Sequence, residues 1–290
     1  MSAERTNLQA SVRQRLLNIA QRDGADFQLV LTRYGLERFL HRLGRSPHKE
    51  AFLLKGAFLF YAWREDVGRP TRDLDLLGHG SPDIARLEVV IADIAGTDVE
   101  DDGLDFRTDG IRGEAIREAA LYDGIRIRLD ATLGRVRIPL QIDVGFGDAA
   151  SPASVELEYP TLLDQTPPTV LAYRPEYVVA EMLEALVALG EINTRLKDYY
   201  DLWRLTRTMN LPRTDVVAAI KATFARRGSA IPTDVPPGLA DSFADPGKSG
   251  MWTAFLERNG LDESAGTLTD VIRDLRSTLG QLLEDAGHED

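Results

Sequence analysis

The residues best suited to chemistry are Thr71-Arg72-Asp73-Leu74-Asp75-Leu76-Leu77, which follow Leu53-Leu54-Lys55-Gly56-Ala57. Alternation along 73–76 predicts a strand with Asp73 and Asp75 on one face and Leu74 and Leu76 on the other. Two carboxylates aimed the same way repel each other unless something positive lies between them, and a divalent metal ion is the common physical answer. Oxygen-only ligands favour magnesium, with manganese as an alternative, over zinc. The earlier segment reads as strand, Gly turn and short helix, a geometry that offers backbone N–H groups to phosphate oxygens. Together these features point to transfer chemistry on a nucleoside triphosphate.

A third acid lies in Leu140-Gln141-Ile142-Asp143-Val144-Gly145-Phe146-Gly147-Asp148. Ile142 and Val144 share one strand face, so Asp143 points the other way with Gln141 and Gly145. Asp is disfavoured in strands and needs a reason to be there. If this strand pairs beside the Asp73/Asp75 strand, three carboxylates converge, and two metal ions can activate a hydroxyl and stabilise a leaving pyrophosphate. The plainer reading has Asp143 capped by backbone amides at a strand end.

The elements that must position these acids are legible from periodicity. Residues 8–45 read as helix, broken near Asp23-Gly24 and ended by Ser46-Pro47. Residues 51–54 form a strand and 57–64 a helix; Gly68-Arg69-Pro70 is the loop before the acidic strand at 72–77. Ser81 caps a helix with Pro82 at its first position, running to about Ile94. The segment 113–146 is strand-rich. The stretch from Tyr159-Pro160 to Pro167-Pro168 reads as a linker, with Thr161-Leu162-Leu163 offering a short strand. Helices follow at 176–189, 194–208, 214–227, 250–259 and 266–285, with a long loop at 228–248. The expected class is α/β (α+β), a mixed-sheet core over 49–170 with an N-terminal helical segment, 1–48, and a C-terminal helical lobe, 171–290.

Composition narrows the function classes. The absence of cysteine excludes disulfides and thiolate metal sites. Met1-Ser2-Ala3-Glu4-Arg5 lacks a basic-then-apolar signal pattern, and no apolar run reaches spanning length, so a cytoplasmic protein without membrane contact is expected. A formal net charge of −12 argues against a general nucleic-acid coat protein. Arginines nonetheless cluster at Arg33, Arg38, Arg42 and Arg45, at Arg126, Arg128, Arg135 and Arg137, and between Arg204 and Arg227. They either form local surface for an RNA end or simply solvate the elements that carry them. The scattered histidines, His41, His48, His79 and His288, support no hydrolytic triad.

Lys55-Gly56-Ala57, Thr71-Arg72-Asp73-Leu74-Asp75, Ile142-Asp143-Val144-Gly145 and Lys197-Asp198-Tyr199-Tyr200-Asp201-Leu202-Trp203 resemble, in this order, the AbiEii/AbiGii nucleotidyltransferase family. The lead-in from Phe27 to Tyr34 resembles one branch of it, and the likeness extends to about residue 260. The resemblance implies a polymerase-β-like nucleotidyltransferase core and a toxin of a bacterial toxin–antitoxin or phage-defence system, with a cognate antitoxin as partner. Some members add nucleotides to the 3′ end of tRNA; others are known for binding a nucleoside triphosphate. Carried over, Asp73, Asp75 and Asp143 are the metal ligands, and Lys55, Gly56, Ala57, Arg72 and Asp201 contact the nucleotide. Lys197, Asp198 and Asp201 can share one helix flank, where the resemblance implies a role in orienting nucleotide or supplying a catalytic cation.

Two positions depart from the pattern. Ala57 stands where the family often has Gly or Ser. Ala180-Glu181-Met182 stands where relatives commonly read Ala-Glu-Lys, and helical spacing makes Met182 part of an apolar face with Val178, Ala185, Leu186 and Leu189. The leading expectation is therefore a magnesium-dependent nucleotidyltransferase toxin. The alternative is a catalytically silent nucleotide-binding regulatory module, and a metal-dependent phosphohydrolase or nuclease ranks third.

Overall fold

The apolar spacing of residues 8–45 becomes two helices, α1 (Ala3–Asp23) and α2 (Phe27–Arg45), in the computed structural model, which describes residues 3–63, 70–118, 122–146, 154–261 and 265–288. Asp26 caps α2 by accepting from the Leu29 amide at 3.0 Å. The expected loop at Gly68-Arg69 and the Gly147-Asp148 turn lie outside the described residues. The chain divides into two compact units, Met1–Tyr173 and Arg174–Asp290.

The first unit is built on a mixed sheet of β1 (Phe52–Lys55), β2 (Asp73–Gly78), β3 (Leu104–Glu118), β4 (Tyr122–Leu133), β5 (Val136–Phe146), β6 (Ser154–Glu158) and β7 (Thr169–Tyr173). The strand order is β3-β4-β5-β2-β1-β7-β6. β2 runs parallel to β5 and β1 parallel to β7; the other neighbours are antiparallel. α2 packs on β5 and β7. At Gly44 of α2 an added Cβ would collide with the Thr169 carbonyl oxygen, so glycine permits that close approach. Leu74, Leu76, Ile142 and Val144 are fully buried, each contributing roughly 1.5–3 kcal/mol of hydrophobic stabilisation. Their burial fixes the register that turns the acids to the opposite face.

Three expectations change in the first unit. α4 (Ile84–Ala95) is capped by Asp83, which accepts from the Arg86 amide at 2.9 Å, so Ser81 and Pro82 both precede the helix. β3 begins at Leu104, well before 113, because a bulge between Arg107 and Arg112 breaks the alternation that would have revealed it. The Pro-rich linker is a packed loop flanked by β6 and β7, with no strand at 161–163. Tyr159 is wholly buried and stacks on Phe58, and the Leu162 amide donates to Glu37 at 2.8 Å.

The second unit comprises α5 (Pro175–Leu189), α6 (Leu196–Thr208), α7 (Arg213–Arg227), α8 (Pro246–Asn259) and α9 (Leu268–Gly287). α5 packs on α6 and α7, and α9 on α6, α7 and α8. α8 starts at Pro246, earlier than the expected 250, because Asp245 caps it and Pro246 occupies the first turn. The long loop is anchored where Phe243 stacks on Tyr199, whose hydroxyl donates to the Gly238 carbonyl at 2.8 Å.

Candidate active site

Strand register brings the separated motifs of the first unit into one line. Lys55 on β1, Asp75 on β2, Asp143 on β5, Arg126 on β4 and Glu114 on β3 are successive cross-strand partners. The signs along this row run plus, minus, minus, plus, minus. Asp75 and Asp143 are its like-charged neighbours, on strands about 4.8 Å apart by ordinary sheet spacing. Asp73 stands two residues before Asp75 on the same face. β2 and β5 are neighbours, as the sequence reading required, and Asp73, Asp75 and Asp143 lie on one face of the sheet.

The side chains show how the repulsion is relieved. Arg126 Nε donates to Asp143 Oδ1 at 2.9 Å and Nη2 donates to Oδ2 at 2.7 Å. Gln141 Nε2 donates to the same Oδ2 at 3.3 Å. This two-pronged bond holds the Arg126 guanidinium above its ordinary pKa range, against the opposing effect of burial. Asp73 accepts from the Thr71 hydroxyl at 2.7 Å, and Thr71 is itself buried. Among the described residues, no group of three or more His, Asp or Glu side chains is disposed to hold a metal ion. Asp143 is engaged by Arg126 instead.

The Gly56 turn completes the site. Gly56 has φ +69°, a left-handed conformation that a side chain disfavours, and an added Cβ there would collide with the Asp75 carboxylate. The turn Gly56–Leu59 therefore lies directly against the second acid. It is held from behind: Phe58 is fully buried, and the Tyr159 hydroxyl donates to the Phe58 carbonyl at 3.0 Å. α3 (Phe60–Trp63) continues from it. Ala57 is buried, Lys55 part-buried, and Arg72 exposed just before β2. All-oxygen donors at Asp73 and Asp75, beside backbone that a side chain would fill, suit a hard divalent cation carrying phosphate oxygens.

The remaining expected residues lie in the second unit. Asp198 and Asp201 are buried on α6, and Arg195 Nε lies 2.7 Å from Asp198 Oδ2. Lys197 is exposed at the start of α6, next to buried Asp198. Lys197 and Asp201 stand one helical turn apart, the spacing of neighbours on one helix face. Met182 is part-exposed on α5, at the edge of a face whose Val178, Ala185 and Leu186 are buried. Its neighbour Glu181 meets Arg226 at 3.1 Å and Arg227 at 3.6 Å.

Many of the arginines expected to offer RNA-binding surface are engaged within the chain. Arg38 and Arg42 are buried against Glu37 and Asp102, Arg128 meets Glu114 at 2.7 Å, and Arg137 meets Asp130 at 2.9 Å. Arg126, which the sequence reading only grouped with other clustered arginines, is part-buried and bonded to Asp143. Alternation with Ile125 and Ile127 gives its face, but its partner becomes visible only through strand register.

The model of the family described as nucleotidyl transferase AbiEii toxin, type IV TA system, matches residues 38–279. No curated protein matches the sequence. The crystal structure of JHP933 from Helicobacter pylori aligns with a TM-score of 0.51 at 14% identity, over 89% of this chain and 92% of that one. A second H. pylori crystal structure aligns with a TM-score of 0.47 at 14% identity, over 89% of this chain and 95% of that one. Identity at this level speaks to the fold alone.

Proposed function

The chain belongs to the AbiEii nucleotidyl transferase toxin family, and from that premise we propose that it transfers a nucleoside monophosphate from an NTP to the 3′ hydroxyl of an RNA, tRNA foremost, in the cytoplasm. The observation that carries this reading is the pairing of Asp75 with Asp143 across β2 and β5, beside Asp73 and against the Gly56 turn. Asp73 and Asp75 would hold magnesium or manganese, which when bound supplies charge neutralisation of the triphosphate. The Gly56 turn offers backbone N–H groups to phosphate oxygens, with Lys55 at the end of the adjoining strand. The acceptor oxygen bonds to the α-phosphorus, the bond to the β-phosphate bridging oxygen breaks, and pyrophosphate leaves. Asp143 takes the hydroxyl proton. An antitoxin partner follows from the family.

The direct test is incubation with each labelled NTP, magnesium and total RNA. Label on RNA supports the reading, and NTP binding without any transfer contradicts it. A second reading, a nucleotide-binding module without catalysis, is favoured by Met182, which offers no charge where relatives carry lysine. Because Met182 is part-exposed, Met182→Lys should fold with a penalty no larger than about 1–2 kcal/mol, its stem lying along the apolar face. If the missing cation limits transfer, the variant should raise it by about two orders of magnitude. A folded Met182→Lys with unchanged transfer shows that another residue supplies the charge.

A further inference from the structure

Resting on the assignment of Asp73 and Asp75 as metal ligands, we infer that Arg126 is a built-in counter-cation that occupies Asp143 in the metal-free chain and yields one of its oxygens when a divalent cation binds. The two-pronged bond uses both Asp143 oxygens at 2.9 and 2.7 Å. Asp143 is also the direct register partner of Asp75. A guanidinium and a metal ion are then alternative answers to the same repulsion, and they compete for the same oxygen atoms.

The surroundings of Arg126 permit the exchange. Its side chain is 30% exposed, against 2% for Arg38, an arginine locked into the core. On its other side stands a second carboxylate, Glu114, its register partner on β3. Release therefore does not strand a buried charge, which would be costly. Arg126 acts through Asp143 and is a positioning residue. Its consequence is regulatory: the acid pair stays neutralised until a metal ion, alone or with its triphosphate, enters.

The test is Mn2+ binding to the full chain, followed by electron paramagnetic resonance, for wild type, Arg126→Gln, Arg126→Lys and Arg128→Gln. Competition predicts that Arg126→Gln binds Mn2+ about tenfold more tightly than wild type, while melting at a lower temperature in EDTA and recovering when Mn2+ is added. Arg128 shares the strand face but pairs with Glu114, so Arg128→Gln should change affinity less than about twofold, since it removes a charge without freeing an Asp143 oxygen. Arg126→Lys keeps the charge but cannot bond both oxygens, so its affinity should lie between. Should Arg126→Gln fail to fold, Arg126→Lys decides: tighter binding supports competition, and equal or weaker binding overturns it. Equal or weaker binding by a folded Arg126→Gln means that Arg126 merely orients Asp143 for metal, which overturns the inference. An equal gain in Arg128→Gln reduces the effect to general charge and also overturns it. A wild-type chain that binds no Mn2+ sinks the metal assignment itself, an outcome distinct from the other two.

Discussion

Single residues carry most of the strain and charge at this site. Gly56 combines φ +69° with a Cα packed against the Asp75 carboxylate. Gly56→Ala should therefore destabilise the chain by about 1–3 kcal/mol, from the disfavoured backbone and the displaced acid, and weaken NTP binding. Denaturant unfolding and nucleotide titration check the two effects, and a fully stable variant with unchanged binding would deny the turn its role. Glu37 offers a different test, in the packing behind that turn. Burial pushes its carboxyl from 4.5 up to about 7, against the pull of Arg38. Between those values the folded chain keeps a proton that the unfolded chain has released. Its contribution to stability is thus greatest below about 4.5 and is lost as pH rises to about 7. Melting temperatures across this range should fall more steeply with pH for wild type than for Glu37→Gln; parallel curves would remove Glu37 from the explanation.

At the scale of elements, what could be read in advance was whatever depends on local alternation. Asp73 and Asp75 share a strand face because Leu74 and Leu76 must be buried, and Asp143 faces with them because Ile142 and Val144 must be. What stayed hidden depends on register and loop packing. Nothing local in Arg126-Ile127-Arg128 says that Arg126 will stand opposite Asp143 while Arg128 reaches Glu114. Nothing in Tyr159–Pro168 reveals that Tyr159 will be buried against Phe58 of the Gly56 turn. Helix ends fall between these cases: Ser81-Pro82-Asp83 contains two acceptable caps, and the chain uses the later one. Asp83→Ala should accordingly cost about 1 kcal/mol in unfolding experiments, while Ser81→Ala should cost almost nothing. The reverse ranking would return the cap to Ser81.

At the scale of the molecule, the four ordered motifs identified the family because they are spread over most of the chain, and the family match spans residues 38–279. Charge was the weaker guide. A net charge of −12 with clustered arginines left basic surface or plain solvation open; Arg38, Arg42 and Arg126 are spent on buried or part-buried carboxylates, while Arg128 pairs with Glu114 at the surface. Among the described residues no helix is long and apolar enough to cross a membrane. The proposed role of the paired carboxylates of β2 and β5 in transfer can be checked in one comparison. Label from NTP onto RNA should be measured for wild type and Asp75→Asn, with magnesium and with EDTA. Wild type with magnesium should transfer, EDTA should abolish it, and Asp75→Asn should lower it by about two to three orders of magnitude or more while melting no lower than wild type in EDTA, since one of two repelling charges is gone. Full transfer by a folded Asp75→Asn would contradict the assignment of this site.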